Sequence, residues 1–228
     1  FEKALIISVD GGGSENDQTV TTKVFVGDEN GVSSLKNSAS DYGNPYSAIG
    51  YPIKEITSWN GKTKHHLAFA GKVMGLCAYG NIRKDWMPNM RAYYNSKSNL
   101  TALGNSIGID LNCDSVSDQT AYDLARTSQA AFEEKFFDEF WSLILEKDMN
   151  VILVGGCGLN VLLNQKLSEM LVSVGKELFV PPNPNDCGLS LGAFLNVSKL
   201  LDSVITLSVL LITDKLPVEY ELSSHLNS

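Results

Sequence analysis

Val151-Ile152-Leu153-Val154-Gly155-Gly156-Cys157-Gly158-Leu159-Asn160 places a buried-type strand, a glycine turn and the start of a helix in consecutive positions. Such a turn lets the backbone approach a phosphate or a ribose without a Cβ in the way. The helix that follows points its free N–H groups and the positive end of its dipole at an anion. Two further turns of this kind close apolar runs, Ser8-Val9-Asp10-Gly11-Gly12-Gly13 near the start and Asn185-Asp186-Cys187-Gly188-Leu189-Ser190-Leu191-Gly192-Ala193 near the end. Three turns in this order are what a nucleotide cleft needs.

Downstream of the first stretch, the spacing predicts a helix from about Leu159 to Val174, a strand over Leu178 to Val180, a loop over Pro181 to Asn185 and a helix from Asp186 to about Leu201. Upstream of it, Asp118 is placed to cap a long helix on which Leu124, Ser128, Phe132, Phe136, Phe140 and Ile144 recur at every fourth position, flanked by Ala121, Ala125, Phe137 and Trp141. The first sixty residues read as a meander: the apolar run Ala4 to Val9, the alternating Val20, Thr22, Val24 and Val26, a hairpin turn at Asp28-Glu29-Asn30-Gly31, and a return over Val32 to Leu35. Between them lie a helix over Pro45 to Thr57 interrupted at Pro52, a short helix over Phe69 to Tyr79, and residues 81–117, whose Pro, Asn, Gly and Ser show no clear period and read as an insertion of loop and short elements. An antiparallel meander followed by alternating helices and strands predicts an α/β fold with a mixed sheet, the layout of a ribonuclease-H-like domain and so of half the actin-like ATPase and sugar-kinase fold. The expected domain spans residues 1–200, with 201–228 as a tail.

Composition is that of an ordinary globular chain with enough apolar material for a core, 228 residues long, 43% hydrophobic and 19% charged, which fits one large or two small domains. A net charge of −8 with no stripe of Lys and Arg argues against a nucleic-acid surface. Cys77, Cys113, Cys157 and Cys187 form no C-x-x-C pair and suit free thiols in a reducing cytoplasm. The apolar run Val204 to Thr213 is about half the ~20 residues needed to cross a bilayer, and no signal-like segment opens the chain, so a cytoplasmic protein without a membrane partner is expected. Phe1 stands where a starting Met would be, and the chain therefore reads as a fragment of a larger protein.

Four blocks carry a closer resemblance. Ser8 to Gly13, Gly71-Lys72-Val73-Met74-Gly75-Leu76-Cys77-Ala78-Tyr79-Gly80, Gly155 to Asn160 and Pro182 to Ala193 resemble, in order and spacing, the signature segments of the O-carbamoyltransferases of antibiotic and nodulation-factor biosynthesis. The resemblance covers roughly residues 4–198. It implies an enzyme that makes carbamoyladenylate from carbamoyl phosphate and ATP, then moves the carbamoyl group to a substrate hydroxyl, in a cleft between two actin-like halves. By position it implies that Asp10, Gly11 and Gly12 face the nucleotide phosphates, that Gly155, Gly156 and Asn160 face the adenosine of ATP or carbamoyladenylate, and that Asp186 is a ligand of a catalytic metal, iron or another divalent ion.

The resemblance also has gaps. The family's metal is held by a His-x-x-x-His pair on the first half together with the late Asp, whereas the histidines here are His65, His66 and His225. Residues 201–228 are too few for the domain that forms the intermediate. The chain thus resembles the second actin-like half alone, a trimmed piece, a split subunit or the product of a decayed gene, with the other half in trans or a second copy as expected partners. No catalytic residue is assigned. A non-catalytic nucleotide-binding or interaction module and a sugar or acyl kinase of the same superfamily stay open as alternatives.

Each site residue also has a plainer reading. Asp186 suits a helix cap as well as a metal ligand, Lys72 a surface charge as well as an anion contact, with Gly71, Gly75 and Gly80 pointing to close helix packing. Adjacent His65 and His66 point apart and read as a solvated pair, and the Phe132, Phe136, Phe140 and Trp141 row reads as helical core.

Overall fold

In a computed structural model the structure describes residues 1–12, 14–15, 18–57, 66–95 and 99–200. Gly13, His65, His225 and the tail 201–228 lie outside the described residues. The chain divides into two compact units, Phe1–Leu189 and Ser190–Ser228.

The first unit is an α/β structure around a five-stranded mixed sheet. Strand β1 (Ala4–Val9) is central, with Leu5, Ile7 and Val9 buried on alternate positions as a pleated strand requires. A short pair, β2 (Ser14–Glu15) and β3 (Gln18–Thr19), precedes β4 (Thr22–Asp28), which runs antiparallel to β1, and β5 (Gly31–Ser38), which runs antiparallel to β4. The turn between β4 and β5 is the expected one, and the Asp28 Oδ1 accepts the Asn30 N–H at 2.8 Å. On the other side of β1, β6 (Asn150–Val154) and β7 (Leu178–Phe179) add in parallel, giving the order β5-β4-β1-β6-β7.

Helices α1 (Gly43–Ala48) and α2 (Lys54–Thr57) flank Pro52 as the sequence predicts, and α3 (Ala70–Leu76) lies between two single 3-10 turns. Residues 81–117 contain more structure than their composition indicates: α4 (Met87–Asn95) and α5 (Leu100–Ile107), with Met87, Met90, Tyr93 and Tyr94 buried in the main core. Helix α6 (Asp118–Glu146) spans about 43 Å at 1.5 Å per residue and buries the whole every-fourth row from Leu124 to Ile144. Its cap position falls on Ser117 rather than Asp118. The carboxylate of Asp118 accepts the Ser117 hydroxyl instead of a first-turn amide, so the expected cap bond is not made. Helix α7 (Val161–Ser173) puts Leu163, Leu167 and Leu171 on one buried face. A 3-10 turn over Asp186–Gly188 leads into α8 (Leu189–Leu200), which belongs almost wholly to the second unit.

The core is rich in ionisable groups held neutral by burial. Burial pushes the Cys77 thiol from an ordinary 9.0 up to about 12, against partial relief from Arg126 and Tyr46. Burial likewise raises the phenols of Tyr42, Tyr46, Tyr93 and Tyr94 above their ordinary 10.0. These groups keep their protons in the folded chain and lose them first in the unfolded chain. Their contribution is therefore complete below pH 9 and is lost as pH rises towards 12. Denaturant midpoints measured between pH 8 and pH 11 should fall progressively above pH 9, and a flat profile would contradict the burial of these groups.

Candidate functional site

Because β1 and β6 are parallel neighbours with Ser8 opposite Val154, both strands end at the same edge of the sheet, where α/β sheets place their ligands. The chain leaves β1 through Asp10 and Gly11 and leaves β6 through Gly155 and Gly156. Asp10 joins these two exits: its Oδ1 accepts the Gly11 N–H at 2.7 Å and its Oδ2 accepts the Gly156 N–H at 2.8 Å. Gly155 stands at φ +88°, a conformation open to glycine, with its N–H donated to the Pro184 carbonyl at 2.7 Å. That bond docks the loop before Asp186 onto the β6 turn.

A fourth segment closes in from the start of α1. Asp41 accepts the Asn44 backbone N–H at 3.1 Å and its side-chain amide at 2.9 Å, and the same amide also donates to the Gly11 carbonyl. Gly43 packs so closely that a Cβ there would lie 2.6 Å from the Gly11 nitrogen.

Together these segments enclose a cleft of about 350 Å3. Asp10, Gly11, Gly156, Asn160 and Asp186, from three distant parts of the sequence, all line it. Gly12 and Gly155 sit in the same turns without lining it. Tyr46, Ser47, Gly71, Met74 and Phe132 complete much of the wall. Gly71 therefore belongs to the cleft. A Cβ at Gly71 or Gly75 would meet nothing within 4 Å, and the close packing expected of the Gly71, Gly75 and Gly80 set holds for Gly80 alone, which abuts the Tyr122 carbonyl. Lys72 reaches the Ile56 carbonyl at 3.5 Å.

Beneath the cleft lies a polar network that the sequence did not announce. Asn160 caps α7 by accepting the Leu163 N–H at 2.9 Å, which fixes its oxygen as an acceptor. That oxygen also accepts from Gln129 Nε2 at 3.1 Å, so Gln129 Oε1 must face the donors, and it accepts the Asn160 amide at 2.9 Å and the Tyr46 hydroxyl at 2.6 Å. Gln129 Nε2 also donates to Glu133 Oε1 at 2.8 Å, and Lys166 meets the other Glu133 oxygen at 3.1 Å. The one available signal was a glutamine on the buried face of α6 between Ala125 and Phe132, where a polar residue must find partners.

Asp186 opens its 3-10 turn and is exposed at the cleft; the preceding Asn185 makes no side-chain cap bond. Among the described residues no group of three His, Cys, Asp or Glu side chains gathers closely enough to hold a metal ion. The residues described here therefore do not by themselves fit the implied iron, and no chemistry is routed through it. Among the described residues no helix is long and apolar enough to cross a membrane.

Two comparisons bear on these observations. An uncharacterized protein of Methanocaldococcus jannaschii, MJ1051, is 28% identical over 227 residues, an alignment covering 90% of this chain and 38% of that protein. The chain thus spans well under half the length of this relative. A family model described as the carbamoyltransferase N-terminus matches residues 1–195, which include every turn that builds the cleft. The chain belongs to the carbamoyltransferase family.

Proposed function

We propose that this chain forms one wall of the nucleotide site of a carbamoyltransferase, as the second ribonuclease-H-like half of an actin-like domain. In this reading the longer protein takes a carbamoyl group from carbamoyl phosphate through an ATP-derived carbamoyladenylate to a substrate hydroxyl. The β6 turn from Gly155 to Asn160 lies along the adenosine, and the turn from Asp10 to Gly12 lies towards the phosphates. Asp186, at the open edge of the cleft, is the residue that a metal held from the other half would reach. The observation that carries the reading is the convergence of the Asp10, Gly156 and Asp186 turns on one cleft at the carboxyl ends of β1 and β6.

A single wall supplies about half the contacts of a closed site. Calorimetric titration of the chain with ATP should therefore give millimolar rather than micromolar affinity, a difference of about 4 kcal/mol. Amide shifts on titration should concentrate at Gly156 to Asn160. Micromolar binding would contradict the one-wall picture, and shifts confined to other surfaces would remove the nucleotide reading.

A further inference from the structure

Asn44 holds a peptide of another element. Asp41 accepts its backbone N–H at 3.1 Å and its side-chain amide at 2.9 Å. A carboxylate offers acceptors, so the side-chain atom that faces it is the amide nitrogen, and that nitrogen gives its second hydrogen to the Gly11 carbonyl. Asp41 is itself fixed from behind. Its carbonyl accepts from the buried Lys135 ammonium at 3.2 Å, which also donates to the Tyr94 carbonyl at 2.6 Å, and the hydroxyl of the next residue, Tyr42, donates to Glu139 at 2.7 Å. The grip on Gly11 is thus anchored on α6.

That grip decides where the following amide points. In a trans peptide the carbonyl oxygen and the next N–H lie on opposite sides, so holding the Gly11 oxygen towards Asn44 turns the Gly12 N–H away from α1. The flanking contacts keep this peptide from rotating. On one side a Cβ at Gly11 would lie 3.0 Å from the Asn44 backbone nitrogen, and on the other Asp10 accepts the Gly11 N–H and ties it to Gly156. Gly12 is exposed and has no side chain of its own to shield its amide, the arrangement in which glycine turns meet phosphate oxygens.

We propose that Asn44 is a positioning residue for carbamoyl transfer, which holds the Gly11 carbonyl and so aims the Gly12 N–H as a donor for a phosphate oxygen of the nucleotide. Asn44 acts through the Gly11–Gly12 peptide and not by touching the ligand. This role rests on the cleft being the nucleotide site argued above, and adds to it the side chain that sets its phosphate end.

The test is titration of the whole chain with ATP and, separately, with adenosine, at fixed ionic strength, followed by amide resonances in wild type, Asn44→Ala and Tyr93→Phe. Tyr93→Phe is the control for lost stability at the same helix, because it removes the bond to the Pro45 carbonyl of α1 at 3.1 Å and leaves the Gly11 peptide alone. In wild type the Gly12 resonance should move with ATP and not with adenosine. Asn44→Ala should lose that shift and bind ATP about tenfold more weakly, with adenosine within about twofold of wild type. Tyr93→Phe should keep the wild-type behaviour with both ligands. A merely structural role would weaken both ligands alike in Asn44→Ala, or weaken ATP equally in Tyr93→Phe, and either result overturns the proposal. A wild-type Gly12 resonance unmoved by ATP while Gly156 to Asn160 respond overturns it even if Asn44→Ala fails to fold, and leaves the nucleotide reading standing. Gly156 to Asn160 unmoved by either ligand would count against that reading, while the Gly12 response to ATP would still decide the role of Asn44.

Discussion

Gly155→Ala should cost about 3 kcal/mol or more and leave little folded protein at 37 °C. The residue stands at φ +88°, ψ 168°, a region that side-chain-bearing residues essentially do not adopt; strain of this kind costs about 1–3 kcal/mol by itself. A second cost adds to it. An alanine Cβ would run into the carbonyl oxygen of Val9 and lie 2.7 Å from its carbon and 2.8 Å from its nitrogen. These are backbone atoms of the central strand, paired on both sides, so no flexible side chain can move aside. Relief would require parting β1 from β6 or breaking the Gly155 bond to the Pro184 carbonyl, and either movement dismantles the cleft. Gly175 supplies the control: it also has positive φ, +73°, but open space where its Cβ would be, so Gly175→Ala should lose only about 1 kcal/mol. Urea denaturation of both variants measures the difference. A Gly155→Ala protein within 1 kcal/mol of wild type would show that the turn does not hold this conformation.

The contrast between those glycines explains what the sequence could reveal. Gly155 was legible as a turn because it interrupts an apolar run before a helical pattern, and that is local information. Strands β1, β4 and β5 were legible for the same reason, since alternation and an Asn-Gly turn act within a few residues. The long row of α6 repeats often enough to outweigh its polar interruptions. Helix α4 was hidden because Pro88, Asn89 and Arg91 sit among Met87, Met90, Tyr93 and Tyr94, and only tertiary burial reveals those four as one face. The turns at Asp10, Gly155 and Asp186 could be named as site candidates, and five of the seven named residues line one cleft. What each side chain does there was not legible. That Asp10 closes a bond to Gly156, 146 residues away, and that Asn160 spends its oxygen on α7 and Gln129 are consequences of the assembled sheet edge. The helix start at Asp41 and Asn44 was missed for a related reason, because the Asn44 amide that Asp41 accepts also donates to the Gly11 carbonyl, which belongs to another element.

Gln129→Leu should destabilise the chain by about 3–5 kcal/mol, although leucine fills nearly the same volume. Gln129 is fully buried and all four of its hydrogen-bonding positions are in use. Leucine leaves the Asn160 amide and one oxygen of the buried Glu133 without their partner and takes one of its acceptors from the Tyr46 hydroxyl, which keeps Cys77 and Asn160 beside it; each buried group left unsatisfied costs about 1–3 kcal/mol, more for a charged one. Lys166 still neutralises the other Glu133 oxygen, which keeps the sum in the lower part of that range. Tyr46→Phe is the discriminating control. It removes one donor while Gln129 Oε1 keeps the Asn160 amide, so it should cost only about 1 kcal/mol. The two losses also separate at the ligand, because Tyr46, Phe132 and Asn160 line the cleft and share the network beneath it. Gln129→Leu should therefore weaken ATP binding beyond what its unfolded fraction explains, whereas Tyr46→Phe should leave binding within about twofold of wild type. Denaturant midpoints and calorimetric titration of the two variants decide the matter. A Gln129→Leu protein as stable as Tyr46→Phe would mean that the Asn160 amide and the Glu133 oxygen find other partners, and the floor of the cleft would then not depend on this glutamine.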